Sequence, residues 1–199
     1  MELNQDLANI SNFLYEMGIL AKTPRSGFYF LGSGEQSVAE HINRVCYIGY
    51  CLAKMNGSVD TGKIVQMCLF HDVSESRISD LNYVHQKYTE RYEEKAHSDL
   101  AASLPFGADI KLLLDEYETR ETVESMFVKD ADNLEFIISL KEQYDIGNER
   151  AKTWIEPALK RLKTEEGKTL GAMLVTVDSD TWWFGEKNDE WWVGRNKGG

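Results

Sequence analysis

A histidine followed directly by an aspartate, His71-Asp72, is the most prominent chemical feature of this sequence. The pair follows the largely apolar run 64–70, which would place an imidazole and a carboxylate at the edge of the core. His41 and Asp130 stand inside helical patterns that are otherwise apolar on one side. Burying such groups costs free energy unless they are paired or ligated. One metal ion bound by His41, His71, Asp72 and Asp130 would meet this requirement.

The donor set narrows the choice of metal. Two imidazoles with two carboxylates suit Mn²⁺, Fe²⁺, Co²⁺, Ni²⁺ or Zn²⁺, and the imidazoles make Mg²⁺ less favoured. Cys46 and Cys51 are five residues apart and Cys68 stands alone, so a structural zinc site is not expected. Taken alone, the His71-Asp72 dipeptide is better explained as a hydrogen-bonded helix end.

The helix that must carry His41 has a clear start and end. Ser37, with Glu40 three residues later, forms a capping box, and Gly57 is a typical helix terminator. The stretch 21–36 before it contains one proline and three glycines and is predicted to be a long loop. Loops of this length in compact domains are usually functional.

Two further helices position the other candidate ligands. Asp60 or Thr61 caps a helix that runs into His71 and its neighbouring aspartate. Thr122 caps the helix that contains Asp130. No alternating strand pattern and no internal repeat is found, and only three prolines occur. We predict one all-α domain over residues 1–177.

Residues 178–199 form a tail that holds four of the five tryptophans, Trp182-Trp183 and Trp191-Trp192. Large aromatic side chains dominate the energetics of cores and of interfaces. We expect the tail to pack on the domain, with coverage of a partner subunit as the alternative.

Composition excludes several classes of protein. The 199 residues include 33 acidic and 22 basic side chains, a net charge of −11, so a nucleic-acid polymer is not an expected partner. The uncharged runs are far shorter than the ~18 residues of a membrane span. No Lys or Arg precedes Lys22, so no secretory signal is expected. The odd number of cysteines in apolar stretches indicates reduced core thiols in a cytoplasmic protein.

Four groups of residues, in order and at their spacing, resemble the HD-domain metal-dependent phosphohydrolases, and within them the 5′-deoxynucleotidases. The resemblance covers residues 24 to about 140. Its pieces are Pro24-Arg25-Ser26-Gly27-Phe28; Gln36-Ser37-Val38-Ala39-Glu40-His41 with Arg44-Val45; His71-Asp72-Val73-Ser74-Glu75 with Asp80; and Lys129-Asp130-Ala131-Asp132. Where the family pattern has Trp and Glu, this chain has Phe28 and Gln36.

The resemblance implies a helical HD fold that binds the metal through His41, His71, Asp72 and Asp130. It also implies that Glu75 and Asp80 act in the reaction or position the substrate, and that the loop bearing Arg25 meets the nucleotide. A carboxylate such as Glu75 can take a proton from water or give one to the departing sugar oxygen. Without the family context, Glu75 would be a solvated residue after a helix end.

Three other side chains are candidates for substrate binding. Arg25 has the planar fork that grips phosphate, or else is a solvated loop arginine. Phe28 could stack on a base or fill the core. Arg44, one turn after His41, could contact phosphate or pair with Glu40 or Asp72.

Asp132 is expected to face away from Asp130 on the same helix and to have a structural role. His85 and His97 match no motif and are expected to be exposed.

The first interpretation of function is a phosphomonoesterase that hydrolyses deoxyribonucleoside 5′-monophosphates, acting as a homodimer. A second keeps the metal but changes the substrate to another nucleotide or phosphate ester. A third is a non-catalytic helical module that senses a nucleotide. The presence of both Glu75 and Asp80 favours an enzyme, because a sensor does not need an acid–base carboxylate.

Overall fold

The computed structural model describes residues 2–185 and residue 194 and contains eleven α-helices in that part of the chain. They are α1 (Glu2–Leu20), α2 (Phe28–Leu31), α3 (Val38–Asn56), α4 (Thr61–Phe70), α5 (Glu75–Ile78), α6 (Glu93–Ala102), α7 (Gly107–Thr119), α8 (Val123–Asp145), α9 (Glu149–Leu159), α10 (Glu165–Leu174) and α11 (Thr181–Phe184). A short 3₁₀ turn spans His85–Lys87. Over the described residues no strand forms beyond an isolated bridge between Pro24 and Ser37. The all-α prediction is confirmed.

The helix starts predicted from capping residues are confirmed. The Ser37 hydroxyl accepts from the Glu40 amide while the Glu40 carboxylate accepts from the Ser37 amide. Asp60 caps α4 and Thr122 caps α8 in the same way, each accepting from a backbone N–H three residues on. Gly57 ends α3 with a φ of 79°, a left-handed conformation that glycine adopts without strain.

The main core lies between α3, α4, α8 and α9, where Leu52, Ile64, Leu134 and Ala158 are fully buried. Gly49 lets α3 approach α4 closely, because a Cβ there would lie 2.6 Å from the Cys68 sulfur. The helices that carry the candidate ligands therefore belong to the most tightly packed part of the molecule. None of the helices in the described part of the chain is long and apolar enough to cross a membrane.

The structure corrects four expectations. The stretch 21–36 is not loop throughout, because α2 lies inside it. His97 is buried, since it shares the inner face of α6 with Leu100. All three cysteines are free, as expected, but Cys51 is exposed rather than in the core. In the tail, Trp182 is 86% and Trp183 55% exposed, so the domain does not bury them, and Trp191-Trp192 lie outside the described residues.

Candidate metal centre and active site

Three helices bring two histidines and an aspartate to one point. His41 lies in the first turns of α3, His71 caps the end of α4, and Asp132 lies on α8. One ligand atom from each of the three lies within 4.8 Å of the other two. Asp72 adds a second carboxylate, with its Oδ2 3.3 Å from His71 Nε2 and 3.5 Å from His41 Nε2. His41, His71, Asp72 and Asp132 are hereafter the His/Asp cluster.

Both imidazoles direct their Nε2 atom toward the cluster. His71 Nδ1 donates to the carbonyl of Cys68 at 2.7 Å, and His41 Nδ1 lies 2.6 Å from Glu135 Oε2. A carbonyl can only accept, so the hydrogen of neutral His71 is on Nδ1, and the carboxylate favours the same arrangement for His41. Both Nε2 atoms are buried and make no hydrogen bond within the described part of the chain.

The electrostatics of the cluster match a cation. Burial and the Arg25 charge lower the pKa of His41, but the neighbouring carboxylates of Asp132 and Glu135 outweigh them and raise it to about 9. The pKa of Asp132 is held well below its usual range despite burial, by Lys129 and the two histidines. Without a metal, His41 therefore carries an extra proton at neutral pH, in the place that a bound cation would take. Once that proton is displaced, two nitrogen lone pairs and two carboxylates form a donor set that fits a divalent transition metal.

Asp130, predicted as a ligand, is not part of this cluster. Its carboxylate accepts from the backbone N–H groups of Lys163 at 2.9 Å and Thr164 at 2.7 Å, and from the Thr164 hydroxyl at 2.7 Å. These contacts hold the segment that begins α10. Two residues along a helix turn the side chain by about 200°, so Asp130 and Asp132 face nearly opposite sides. The predicted ligand Asp130 therefore lies on the side of α8 that faces α10, and Asp132 lies on the side that faces the cluster.

The sequence contains a signal that would have identified the correct face. Asp132, Glu135 and Ser139 are spaced three and four residues apart, which places them in one line along α8. A polar line on a helix that is otherwise buried marks a site rather than a core.

Glu135 contacts the cluster, although the sequence analysis did not select it. It is 1% exposed and accepts from Gln36 Nε2 at 2.6 Å and the Ser139 hydroxyl at 3.0 Å, in addition to its contact with His41. Carboxylates behind metal-binding histidines orient the ring and raise its basicity. Glu135 therefore sets the orientation of His41.

Arg44 is placed elsewhere than predicted. Its Nη1 donates to Glu142 at 2.9 Å and its Nε lies 3.5 Å from Glu135 Oε1. It lines a separate cavity of about 320 Å³ together with Glu40 and Glu142. The structure therefore does not bring Arg44 to the His/Asp cluster.

Arg25 and Asp80, by contrast, reach the cluster. Arg25 Nη1 lies 3.4 Å from Asp72 Oδ2, and its Nε lies 3.6 Å from Asp80 Oδ2. The same Asp80 oxygen accepts from the Ser26 backbone N–H at 3.0 Å. These contacts raise the pKa of Arg25 further above its usual value despite burial. Asp80 thus holds the Arg25 side chain and its loop in place.

Glu75 begins α5, three residues after Asp72, and is buried. Its Oε2 makes no hydrogen bond within the described residues. Burial, together with the negative charges of Asp72 and Asp80, raises the pKa of Glu75 to about 10. Burial and the two neighbouring carboxylates therefore favour the protonated form of Glu75.

A cavity of about 460 Å³ opens next to the cluster. Arg25 and Asp132 line it, and Phe28 lines it as well while also packing against the main core. Phe136, Trp154 and Arg161 line it as well. This volume is within the range of small-molecule sites, and an apolar lining with a few convergent polar groups is typical of them.

The sequence profile of the family described as HD domain matches residues 17–173 of this chain. The 5'-deoxynucleotidase HDDC2 of Dictyostelium discoideum is 32% identical over 149 residues, covering 68% of this chain and 78% of that protein. The protein of the same name from Bos taurus is 30% identical over 146 residues, covering 70% of each chain. The bacterial 5'-deoxynucleotidase Ent638_2835 of Enterobacter sp. (strain 638) is 29% identical over 152 residues, covering 66% of this chain and 74% of that protein.

Solved structures share the fold. A conserved hypothetical protein from Pyrococcus furiosus superimposes with a TM-score of 0.70 at 28% identity, over 83% of this chain and 99% of that one. A predicted metal-dependent phosphohydrolase from Magnetospirillum magnetotacticum MS-1 gives a TM-score of 0.68 at 23% identity, over 86% and 92%.

Proposed function

Because this chain belongs to the HD domain family, we propose that it is a metal-dependent phosphohydrolase that converts deoxyribonucleoside 5′-monophosphates into deoxynucleosides and phosphate. One observation carries the proposal: two buried Nε2 atoms and two carboxylates face one another beside Arg25 at the side of a nucleotide-sized cavity. The similar proteins named 5'-deoxynucleotidase support the substrate class.

We assign the metal to His41, His71, Asp72 and Asp132. Their nitrogen and oxygen donors favour Mn²⁺, Co²⁺, Fe²⁺, Ni²⁺ or Zn²⁺ over Mg²⁺. A divalent ion held there would supply positive charge for the phosphoryl oxygens and lower the pKa of the attacking water. Glu135 fixes the ring of His41 from behind.

Arg25 binds the substrate phosphate. Its guanidinium already lies between Asp72 and Asp80, at the boundary between the cluster and the cavity. The planar fork donates two parallel hydrogen bonds to phosphate oxygens, and Asp80 keeps it in that orientation. The roles proposed for Arg25 and Asp80 are therefore binding and positioning.

Glu75 donates the proton that the leaving group needs. When water adds to phosphorus and the bond from phosphorus to the sugar O5′ breaks, the O5′ atom takes up a proton and leaves as a hydroxyl. Glu75 is buried beside Asp72, and its unpaired Oε2 is free to make that transfer. General acids of this kind contribute roughly 10²–10⁴-fold in rate.

The remaining assignments concern partners and location. The net charge of −11 supports a small nucleotide rather than a nucleic-acid polymer as the ligand. We place the protein in the cytoplasm as a homodimer, and the exposed Trp182 and Trp183 offer apolar surface for such an interface. Light scattering at micromolar concentration tests the dimer, and a monomer mass would rule it out.

The experiment that tests the function is phosphate release from dAMP, dGMP, dCMP, dTMP and their ribose counterparts, with Mn²⁺ or Co²⁺ added. Wild type and Glu75→Gln are compared, with bound metal and dAMP binding measured in the same samples. Turnover by wild type and its loss in a metal-loaded, nucleotide-binding variant support the proposal. Nucleotide binding without turnover by wild type would instead identify a sensor.

A further inference from the structure

The cavity beside the cluster extends along one helix. Asp132 and Phe136 are four residues apart on α8, so they lie on the same face and about 6 Å apart along the helix axis. Both line the cavity. If the phosphate is held at the His/Asp cluster, as the proposed function requires, the part of the substrate beyond the phosphate is directed toward Phe136.

That part of the cavity has an aromatic wall. The rings of Phe136 and Trp154 lie 6.4 Å apart between centroids, inclined by 38°. Pro157, one turn after Trp154 on α9, extends the apolar surface. A flat, aromatic ligand group gains stacking energy on such a surface whatever its hydrogen-bonding pattern.

One cationic side chain stands over this wall. The guanidinium carbon of Arg161 lies 5.9 Å from the Phe136 ring centroid and 5.8 Å from that of Tyr83. Arg161 Nη2 donates to the Tyr83 hydroxyl at 2.5 Å. Within residues 2–185 and 194 no carboxylate forms an ion pair with Arg161, and that single contact leaves most of its five N–H groups for a ligand.

We propose that Phe136, Trp154 and Arg161 form a nucleobase subsite that prefers 6-oxopurines to adenine; this rests on the proposed function. Stacking on Phe136 and Trp154 supplies affinity. Arg161 offers only donors, which match the adjacent O6 and N7 acceptors of guanine or hypoxanthine. Adenine places an amino donor where O6 would be, and two donors then face each other.

The cleanest comparison is dIMP against dAMP, because the two differ only at the purine six-position and its neighbouring nitrogen. Wild type is expected to favour dIMP in kcat/KM by about tenfold, the effect of one hydrogen bond to a charged group. In Arg161→Gln the ratio is expected to fall to within about twofold of one, because an amide both donates and accepts. Lys160→Gln, which removes the neighbouring exposed charge, is the matched control and keeps the ratio.

Calorimetric binding of deoxyinosine and deoxyadenosine tests the subsite without any turnover. The same preference is expected in wild type, with its loss in Arg161→Gln. Trp154→Leu should weaken both nucleosides about tenfold, and Trp154→Phe should restore most of the affinity. The Phe variant separates lost stacking from a damaged fold.

Equal use of dIMP and dAMP by wild type, or a preference that survives Arg161→Gln, would overturn the assignment. Absence of phosphate release from every nucleotide would refute the proposed function instead. In that case selective nucleoside binding that depends on Arg161 still supports the subsite, and unselective or absent binding overturns it too.

Discussion

Replacing Asp130 by asparagine should destabilise the protein and leave its metal content intact. The carboxylate accepts from three donors, the N–H groups of Lys163 and Thr164 and the Thr164 hydroxyl. Hydrogen bonds to a buried charge are worth about 1.5–3 kcal/mol each. Asparagine keeps one oxygen as an acceptor and replaces the other by an NH₂ group. At least one hydrogen bond is therefore lost, and the NH₂ group faces a backbone or hydroxyl donor. The expected cost is roughly 3–5 kcal/mol.

For a chain of this length, that cost corresponds to a fall in Tm of roughly 6–20 °C. Thermal unfolding in the presence of a chelator measures it without any contribution from bound metal. Elemental analysis after loading with Mn²⁺ and gel filtration gives the metal content of the same variant at a temperature where it is folded. One ion per chain is expected, as in wild type.

Asp132→Asn is the matched comparison, two residues away on the same helix and with the same change in charge. It should lower metal content roughly tenfold or more, because it removes a ligand. Its chelator-treated Tm should fall as well, because without metal Asp132 pairs with Lys129 at 2.7 Å and lies 3.3 Å from His41 Nε2. Metal content is therefore the measurement that distinguishes the two variants. A folded Asp130→Asn protein without metal, alongside an Asp132→Asn protein that retains it, would refute the geometry described above.

Other substitutions have equally definite expected outcomes. Glu75→Gln should retain metal and dAMP binding but lose about 10²–10⁴-fold in kcat, measured by phosphate release; normal turnover would exclude the acid role. Arg25→Ala should lower kcat/KM roughly ten- to a hundredfold with little change in metal content or Tm, and unchanged kinetics would make it a structural loop residue. Glu135→Gln should weaken Mn²⁺ binding about 10–100-fold in a titration, and an unaltered affinity would contradict its orienting role. The Arg77 guanidinium holds the pKa of Glu16 below 4.5, so their ion pair stabilises the fold above that pH and is lost as pH falls through the lower folded-state pKa. Glu16→Gln should thus lower the free energy of unfolding by up to about 1 kcal/mol at neutral pH and leave it unchanged at about pH 2. An equal loss of stability at both pH values would refute this.

The helix boundaries could be predicted because they are local. Ser37, Asp60 and Thr122 each satisfy backbone donors within their own first turn, so the sequence around them contains the whole cause. His71 and His41 could be predicted for a similar reason, since each lies close to a recognisable helix end.

Helix ends do not decide between Asp130 and Asp132, and only the polar line that Asp132 forms with Glu135 and Ser139 separates the two in the sequence. Both lie in the interior of one long helix, and the face that each presents depends on how α8 packs against α3, α4 and α10. Burial does not distinguish them either, because Asp130 is compensated by backbone donors some 33 residues later in the chain. The contacts of Arg44 could not be predicted for the same reason, because its partner Glu142 is 98 residues away in the sequence.

One helix, α8, carries Asp132, Glu135 and Phe136. Because these residues occupy different positions on it, hydrolysis and the choice of base can change independently during evolution. In the proposed function the metal site depends on the first two, while the third faces the part of the cavity assigned to the base. Their relative positions are fixed by helix geometry, so substitution at 136 can change which nucleotide is accepted without disturbing hydrolysis. An insertion or deletion of one residue between 132 and 136 would instead rotate the two parts by about 100° relative to each other. Natural variation in this region should therefore consist of replacements rather than changes in length.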